Sequence, residues 1–455
     1  MHNTEKYIEE TIKSITDQSF KEIQIIIIDD ESTDDSVVKV HTLQKKHQNI
    51  ELYCQQNQGP AIARNNGMAK ANGKYIMFLD SDDLLATNAL QNLYHAIEKY
   101  NSDVVIGSYR SFNQSNEKGW YHNFAKPFVG MKFNNKSLDD IPKLITNLPV
   151  WNKIYLRTFL EDNAIHFYKN VHLREDAYFM AEVFVSTEKI SHIPVDVCFY
   201  RVREKNDISL THTINPKVFE DIVFISEQID NVLSKKKFKN HETINRERYI
   251  TELIAINFRL KAFMEEENSD FEGVMQKLNT YLKKIDDEII SSFSFKTRLV
   301  LFSLKHAQYH LAKEINIEDD LSSIFDNTVF KNNQTIIDIF LREQYKEIQA
   351  LQKSKILSAL SLREIFQSLK SYIKKKSLLK SKKILRRSYF YFIGRIANFK
   401  TKNSNIWLVG ERLGTTAQDT GYHFFRYCRK SYPTKEIYFV TPTLCIFIHL
   451  KNLLK

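Results

Sequence analysis

Two groups of carboxylates stand out by where they fall in the chain. Asp29 and Asp30 end the apolar run Ile25 to Ile28, and Asp80, Asp82 and Asp83 follow the apolar run Tyr75 to Leu79. Four β-branched residues in a row suit a strand covered on both faces, as in a parallel sheet flanked by helices. Ligands of open α/β sheets bind at the carboxyl ends of the strands, so acids placed there are candidate binding groups. Asp80 and Asp82, two residues apart at such an end, can direct both carboxylates toward one ligand. Hard oxygen donors of that kind suit Mg²⁺ or Mn²⁺ bridging a diphosphate. Neighbouring acids have a plainer use. Asp34 and Asp35 read as caps of a following helix, and Asp83 as the cap before a helix entered at Leu84–Leu85.

The segments around these acids alternate in type. Glu5 to Thr16 predicts an amphipathic helix with Tyr7, Ile8, Ile12 and Ile15 on one face. Ser36 to Lys46 predicts a second, with Val37, Val40 and Leu43 inward, before a short strand from Ile50 to Cys54. The loop Asn57 to Pro60 leads into a helix over AIARNNGMAKANG, closed by Gly73. A helix over Asn88 to Lys99 and a strand over Asp103 to Tyr109 complete the series. Strands alternating with helices predict an α/β fold with a doubly wound, mostly parallel sheet.

A chain of 455 residues predicts two or three domains. With 43% hydrophobic and 26% charged residues the composition is that of a globular protein. No proline lies between Pro216 and Pro433 and no glycine between Gly273 and Gly394, so the middle of the chain reads as helical. The net charge of +10 favours an anionic partner. Cys54, Cys198, Cys428 and Cys445 are too far apart for a CxxC site and read as reduced thiols. The N-terminus has no signal-peptide pattern, and no run approaches the roughly 18 to 20 apolar residues of a membrane span. The expected location is cytoplasmic.

The segments IIIIDDESTDDS and QGPAIARNNGMAKANGKYIMFLDSDD resemble the family 2 glycosyltransferases, which have the GT-A fold. VWNKIYLRTFL, HLREDAYF and FYRVREKNDISLT continue the resemblance in order, over about 200 residues. It implies that Asp29 and Asp30 contact the uracil and ribose of a UDP-sugar, and that Arg64 holds the base or diphosphate. It further implies that Asp80 touches the ribose, that Asp82 coordinates a divalent cation, Mn²⁺ or Mg²⁺, and that Asp176 is the catalytic base with Glu175 beside it. Inverting transfer needs a carboxylate to accept the proton of the attacking hydroxyl and a cation to stabilise the leaving diphosphate. Arg201 and Arg203 are candidates for the leaving group or an anionic acceptor, with a solvated basic surface as the alternative. Trp151 is a core or acceptor-wall aromatic, and Lys153 a phosphate contact or a solvated end. His166, His172 and His192 lack metal-ligand spacing and read as structural. Family members begin with a further strand ending in a Pro-Val-Tyr-Asn-like turn, of which Met1-His2-Asn3 matches only the end. The resemblance therefore implies a GT-A domain over 1–214 whose first strand is missing.

Residues 215–369 read as a helical region, with Val218, Ile222, Ile225, Ile229 and Val232 aligned on one face and packed back on the catalytic domain. Residues 370–403 differ: Lys370 to Lys402 holds twelve Lys or Arg and no acid, with aromatics interleaved at Ser388 to Phe399. That composition suits an anionic membrane surface. No RRM or KH pattern accompanies it, so no nucleic-acid partner is expected; a solvated linker is the plainer alternative. Asn405 to Thr441 is similar to the opening of the CDP-glycerol glycerophosphotransferase domain of teichoic acid polymerases, a GT-B fold. On that resemblance 404–455 is a truncated, short α/β start of such a domain.

Together these readings imply an inverting, metal-assisted glycosyltransferase, hexosyl or N-acetylhexosaminyl, peripheral on the inner face of the cell membrane. Its acceptor would be a hydroxyl of a teichoic acid or related anionic glycopolymer, or of a lipid-linked acceptor. The alternative is a fragment of a bifunctional glycosyltransferase and glycerophosphotransferase with reduced or no activity, acting at most as a membrane-associated binding protein.

Overall fold

The structure, a computed structural model, describes residues 1–317 except 114, 170, 172, 204–214 and 267–269, together with the strands at 406–410 and 436–440. It forms two compact units, Met1–Ile256 and Asn257–Lys455.

In the first unit α1 (Ile8–Thr16) buries Ile8 and Ile12, the face its spacing predicts. β1 (Ile25–Asp30), α2 (Ser36–Gln44) and β2 (Ile50–Gln55) follow. β1 and β2 pair in parallel, Ile25 opposite Ile50 through Asp30 opposite Gln55. Ile8, Ile12, Ile25, Ile27, Val40 and Ile50 form their own small core. α3 (Gly59–Lys70) starts with Pro60 in its first turn, where a missing N–H costs nothing.

After α3 come β3 (Tyr75–Ile76), β4 (Leu84–Leu85), α4 (Ala89–Tyr100), β5 (Val104–Asn113), β6 (Asn116–Trp120), β7 (Phe133–Lys136) and β8 (Lys153–Leu156). Then follow α5 (Arg157–Asp162), α6 (Glu175–Ser186), β9 (Ile190–Arg201) and α7 (Pro216–Ser234). A seven-stranded sheet runs β3-β8-β5-β9-β4, with β6 on β5 and β7 on β9. β5 and β9 are parallel, but β3 on β8, β8 on β5 and β4 on β9 are antiparallel. The α/β expectation holds, but the sheet is mixed rather than mostly parallel. Gly107 lies where β5 shifts register against β9; a Cβ there would be 2.5 Å from Val197 Cγ1.

Two local expectations are corrected. Tyr75 to Leu79 is strand only over Tyr75–Ile76, and Leu84–Leu85 is a strand against Cys198 and Phe199, not a helix entry. Asp83 therefore caps no helix. It is fully buried and accepts from the Arg201 N–H at 2.7 Å, tying the acidic loop to the end of β9. At α2 the capping expectation is met by Asp34, which accepts from the Ser36 N–H at 3.0 Å; Asp35 makes no side-chain cap bond.

α7 buries Val218, Ile222, Ile225, Ile229 and Val232, the predicted face, and Ile225, Ile229 and Val232 join the main core. Helix α8 (His241–Glu265) contains the division between the two units. The second unit continues with α9 (Phe271–Lys283), α10 (Asp287–Ser291), α11 (Phe295–Lys305) and α12 (Tyr309–Ile317), as its lack of proline predicts. Beyond them β10 (Ile406–Gly410) and β11 (Glu436–Val440) pair in parallel. The basic segment at 370–403 and the rest of 404–455 lie outside the described residues, as do Cys428 and Cys445. Cys54 and Cys198 are free thiols. Among the described residues no helix is long and apolar enough to cross a membrane.

Candidate functional site

An aromatic cluster sets the positions of the acids. Phe78 meets Phe167, Phe179 and Tyr155 edge-on, with ring centroids 5.2 to 5.7 Å apart, and Phe167 stacks on Phe179 at 4.1 Å. Such pairs add geometric preference to the burial of their area. Asp80 follows Phe78 by two residues and Asp176 precedes Phe179 by three, so fixing these rings fixes both acidic segments. Arg64, on α3, lies over Phe167 at 5.3 Å.

Arg64 joins the segments. Its Nη2 donates to Asp80 Oδ1 at 2.8 Å and its Nη1 to Glu175 Oε1 at 2.6 Å. Burial opposes its charge, but Asp80 and Glu175 prevail and hold the guanidinium more firmly protonated than usual. Burial raises the Glu175 carboxyl, with Arg64 acting against the rise and Asp176 adding to it. Asp176 is the second residue of α6, where its Oδ1 accepts from the Ala177 N–H at 2.7 Å. Burial raises it above the ordinary aspartate range; Arg174 and Arg64 oppose that rise and Asp80 adds to it. A carboxylate held between cations and poised upward is suited to proton abstraction.

The second carboxylate of the acidic loop has its own arginine. Asp82 Oδ2 accepts from Arg203 Nε at 2.8 Å and pairs with its Nη2 at 2.8 Å. Burial and the Asp80 charge raise the Asp82 carboxyl, and Arg203 opposes them. Arg201 Nε donates to the Asp82 carbonyl at 2.7 Å and its Nη2 to Glu10 Oε2 at 2.7 Å. Both guanidinium groups lie over the Tyr7 ring, at 4.9 and 5.2 Å. The alternative of a solvated basic surface is thereby corrected, since these side chains are only 11% and 15% exposed.

Asp29 and Asp30 part company. Asp30 Oδ1 accepts from Gln55 Nε2 and the Gln58 N–H, both at 2.8 Å, and Oδ2 from the Gly59 N–H at 2.9 Å. It anchors the turn into α3. Among the described residues Asp29 accepts only the Ser32 N–H, at 3.2 Å, and its buried Oδ1 has no partner. A buried carboxylate oxygen without a donor is costly unless a ligand supplies one.

Lys153 is not a solvated end, and that alternative is corrected. It is fully buried, and its Nζ donates to Asn147 Oδ1 at 2.7 Å, to Asn152 Oδ1 at 2.8 Å and to the Pro149 carbonyl. Burial lowers it well below the usual lysine range, with Asp176 acting against the shift. It pins the turn carrying Trp151, whose buried ring stacks on Tyr200 at 5.6 Å and meets Tyr109 edge-on at 4.7 Å. His192 is structural as read: it is buried, bonded to the Met131 carbonyl at 2.8 Å, and pushed down to about 4 by burial. His172 lies outside the described residues.

Among the described residues no group of three or more His, Cys, Asp or Glu is arranged to hold a metal. Asp80 and Asp82 nevertheless fit a hard cation as partial ligands. Each uses one carboxylate oxygen for an arginine, and no hydrogen bond among the described residues reaches Asp80 Oδ2 or Asp82 Oδ1. The part of Glu10 and Tyr7 in this centre carried no signal in spacing, because helix α1 reaches it only through the fold.

Residues 1–163 match the sequence profile described as glycosyl transferase family 2. The chain is 28% identical to the glycosyltransferase GlyA of Streptococcus pneumoniae over 45% of its length and 30% of that protein. It is 24% identical to the minor teichoic acid biosynthesis protein GgaB of Bacillus subtilis, covering 68% of this chain and 34% of that one. It is 23% identical to TarS of Staphylococcus aureus, a poly(ribitol-phosphate) β-N-acetylglucosaminyltransferase, over 64% of this chain and 50% of that protein. The crystal structure of TarS residues 1–349 with UDP-GlcNAc superposes with a TM-score of 0.56 at 20% identity, covering 70% of this chain and 88% of that one. The chain thus spans half or less of the length of these three relatives. The sheet and its covering helices are GT-A-like, and the N-terminal part of this chain carries a family 2 glycosyltransferase domain with teichoic acid glycosyltransferases among its homologues.

Proposed function

We propose that this domain transfers a hexosyl or N-acetylhexosaminyl group, with inversion, from a UDP-sugar to a hydroxyl of a teichoic acid or related anionic glycopolymer. The observation that carries the reading is the pair of hydrogen bonds that Arg64 donates, one to Asp80 and one to Glu175, which unites two acidic segments far apart in sequence. Asp176 takes the proton of the acceptor hydroxyl as its oxygen attacks the anomeric carbon. The bond from that carbon to the diphosphate breaks on the opposite face, and UDP leaves. Asp29 meets the uridine with its unpartnered Oδ1, while Asp30 shapes the wall beside it. A divalent cation, when bound, would sit on Asp82 with Asp80 adjacent and offset the charge of the leaving diphosphate. Arg201 and Arg203 add fixed positive charge next to Asp82.

The acceptor class rests on the names of GgaB and TarS and on the net charge of +10, which suits a polyanion. The basic, aromatic segment 370–403 would bring the enzyme to the inner membrane face, where lipid-linked acceptors lie. The test is incubation of the full chain with UDP-glucose, UDP-GlcNAc or UDP-GalNAc and poly(ribitol phosphate) or poly(glycerol phosphate), with Mn²⁺ or with a chelator. Expected are metal-dependent glycosylation of one polymer, an inverted anomeric configuration by NMR, and no turnover of CDP-glycerol. Absence of transfer from every donor, alongside a folded protein, refutes the proposal. Sedimentation with anionic vesicles, lost at high salt, tests the membrane placement.

A further inference from the structure

α6 begins from an unusual residue. Arg174, its N-cap, has φ of 73°, in the left-handed region that a side chain occupies only when its surroundings hold it there. The next two residues are Glu175 and Asp176. What surrounds Arg174 comes from the helices that follow the sheet. Its side chain is 10% exposed, and its Nη2 lies 4.0 Å from Glu252 Oε1 on α8. Glu252 is itself fully enclosed. Ser226 Oγ, on α7, donates to its Oε2 at 2.8 Å, and Arg248 Nη1 approaches its Oε1 at 3.4 Å. Arg248 also donates to the Ser226 carbonyl at 3.0 Å and pairs with Asp230.

Arg174, Arg248 and Glu252 thus form a buried cluster between α7, α8 and the start of α6, with the partly exposed Asp230 pairing with Arg248 at its edge. Such clusters contribute less to stability than apolar packing of the same volume, and their best-attested use is to fix one arrangement. This one ends on the residue before the acid pair. We propose that Glu252, backed by Arg248, is a positioning residue for the transferase centre: through Arg174 it fixes the left-handed turn that aims Asp176. Helices α7 and α8 therefore belong to the working site and do more than cover the sheet. This rests on the reading of Asp176 as the base, and a small displacement of such a group is enough to slow transfer about a hundredfold.

The test is a double-mutant cycle in the full chain with Glu252→Gln, Arg174→Gln and the pair, measuring kcat and donor KM per folded molecule, with folding followed by thermal melting. Each single variant should lower kcat about ten- to a hundredfold with little change in donor KM. The pair should be no worse than the weaker single variant, because both changes break one contact. Glu252→Asp, which keeps the charge, should recover part of the loss. If Glu252→Gln does not fold, Glu252→Asp and Arg174→Gln give the same reading from either end of the contact. Unchanged kcat per folded molecule, or losses that multiply in the pair, overturns the proposal. Asp176→Asn, run alongside, separates the two claims. If it abolishes turnover while Glu252 variants leave kcat intact, only the positioning role fails; if it leaves turnover intact, the base assignment fails.

Discussion

The acids that end β1 and the acids that follow β3 look alike in sequence, yet the fold gives them opposite fates. Asp30 is bonded by backbone and amide donors of a single element, the turn from β2 into α3. Asp80 and Asp82 are instead held by Arg64 and Arg203, from α3 and from the end of β9. A carboxylate bonded to nearby N–H groups stabilises a turn. One bonded to guanidinium groups from distant elements gathers those elements into a centre. Asp29 falls between the two, since one of its oxygens serves a turn and the other has no partner among the described residues.

This contrast can be broken experimentally. The largest effect is expected from Arg64→Met, which leaves the buried Glu175 and the half-buried Asp80 without their cation. Unfolding by denaturant should show a loss of about 3–5 kcal/mol, and donor binding should fail. Next, Asp30→Asn should cost about 1–3 kcal/mol of stability, with UDP binding reduced only as far as folding is. Asp29→Asn should do the reverse: stability within about 1 kcal/mol of the parent, but UDP affinity by calorimetry down about tenfold. If Asp30→Asn spares stability and Asp29→Asn spares binding, the distinction between anchor and ligand contact is wrong.

A further consequence concerns pH. The Asp176 carboxyl is raised by burial, against the opposing charges of Arg174 and Arg64 and with Asp80 adding to the rise. On the proposed role of Asp176, the base works ionised, so activity should be present above its elevated pKa and lost as pH falls through it. The acid limb of kcat should therefore lie above the ordinary aspartate range, and Arg174→Gln should move it higher still. The smallest effect is expected at the rim. Glu10, 56% exposed, pairs with Arg201, and Glu10→Gln should change stability by no more than about 0.5 kcal/mol.

Much of this was legible in the residues. The apolar run ending in Asp29–Asp30 and the helix spacing of α1, α4 and α7 predicted their elements, because local pattern and tertiary burial agree there. Leu84–Leu85 was misread because two apolar residues after an acid fit a helix entry as well as a strand, and only pairing with Cys198 and Phe199 decides between them. The parallel expectation failed for the same reason: strand direction in β8 and β4 depends on partners far along the chain. Lys153 carried no sign of burial, since lysine is rarely enclosed and its three acceptors come from a turn that spacing does not define. The ties from Glu10, Tyr7 and Glu252 to the centre join elements through space and leave no periodic trace.

The central claim is that Asp176 removes the acceptor proton at a centre assembled by Arg64. The most direct measurement is single-turnover transfer by Asp176→Asn in the full chain, paired with calorimetric titration of UDP. The account predicts transfer slowed by about 10²–10⁴-fold with UDP affinity preserved. Transfer at the parent rate, with UDP bound equally well, would contradict it.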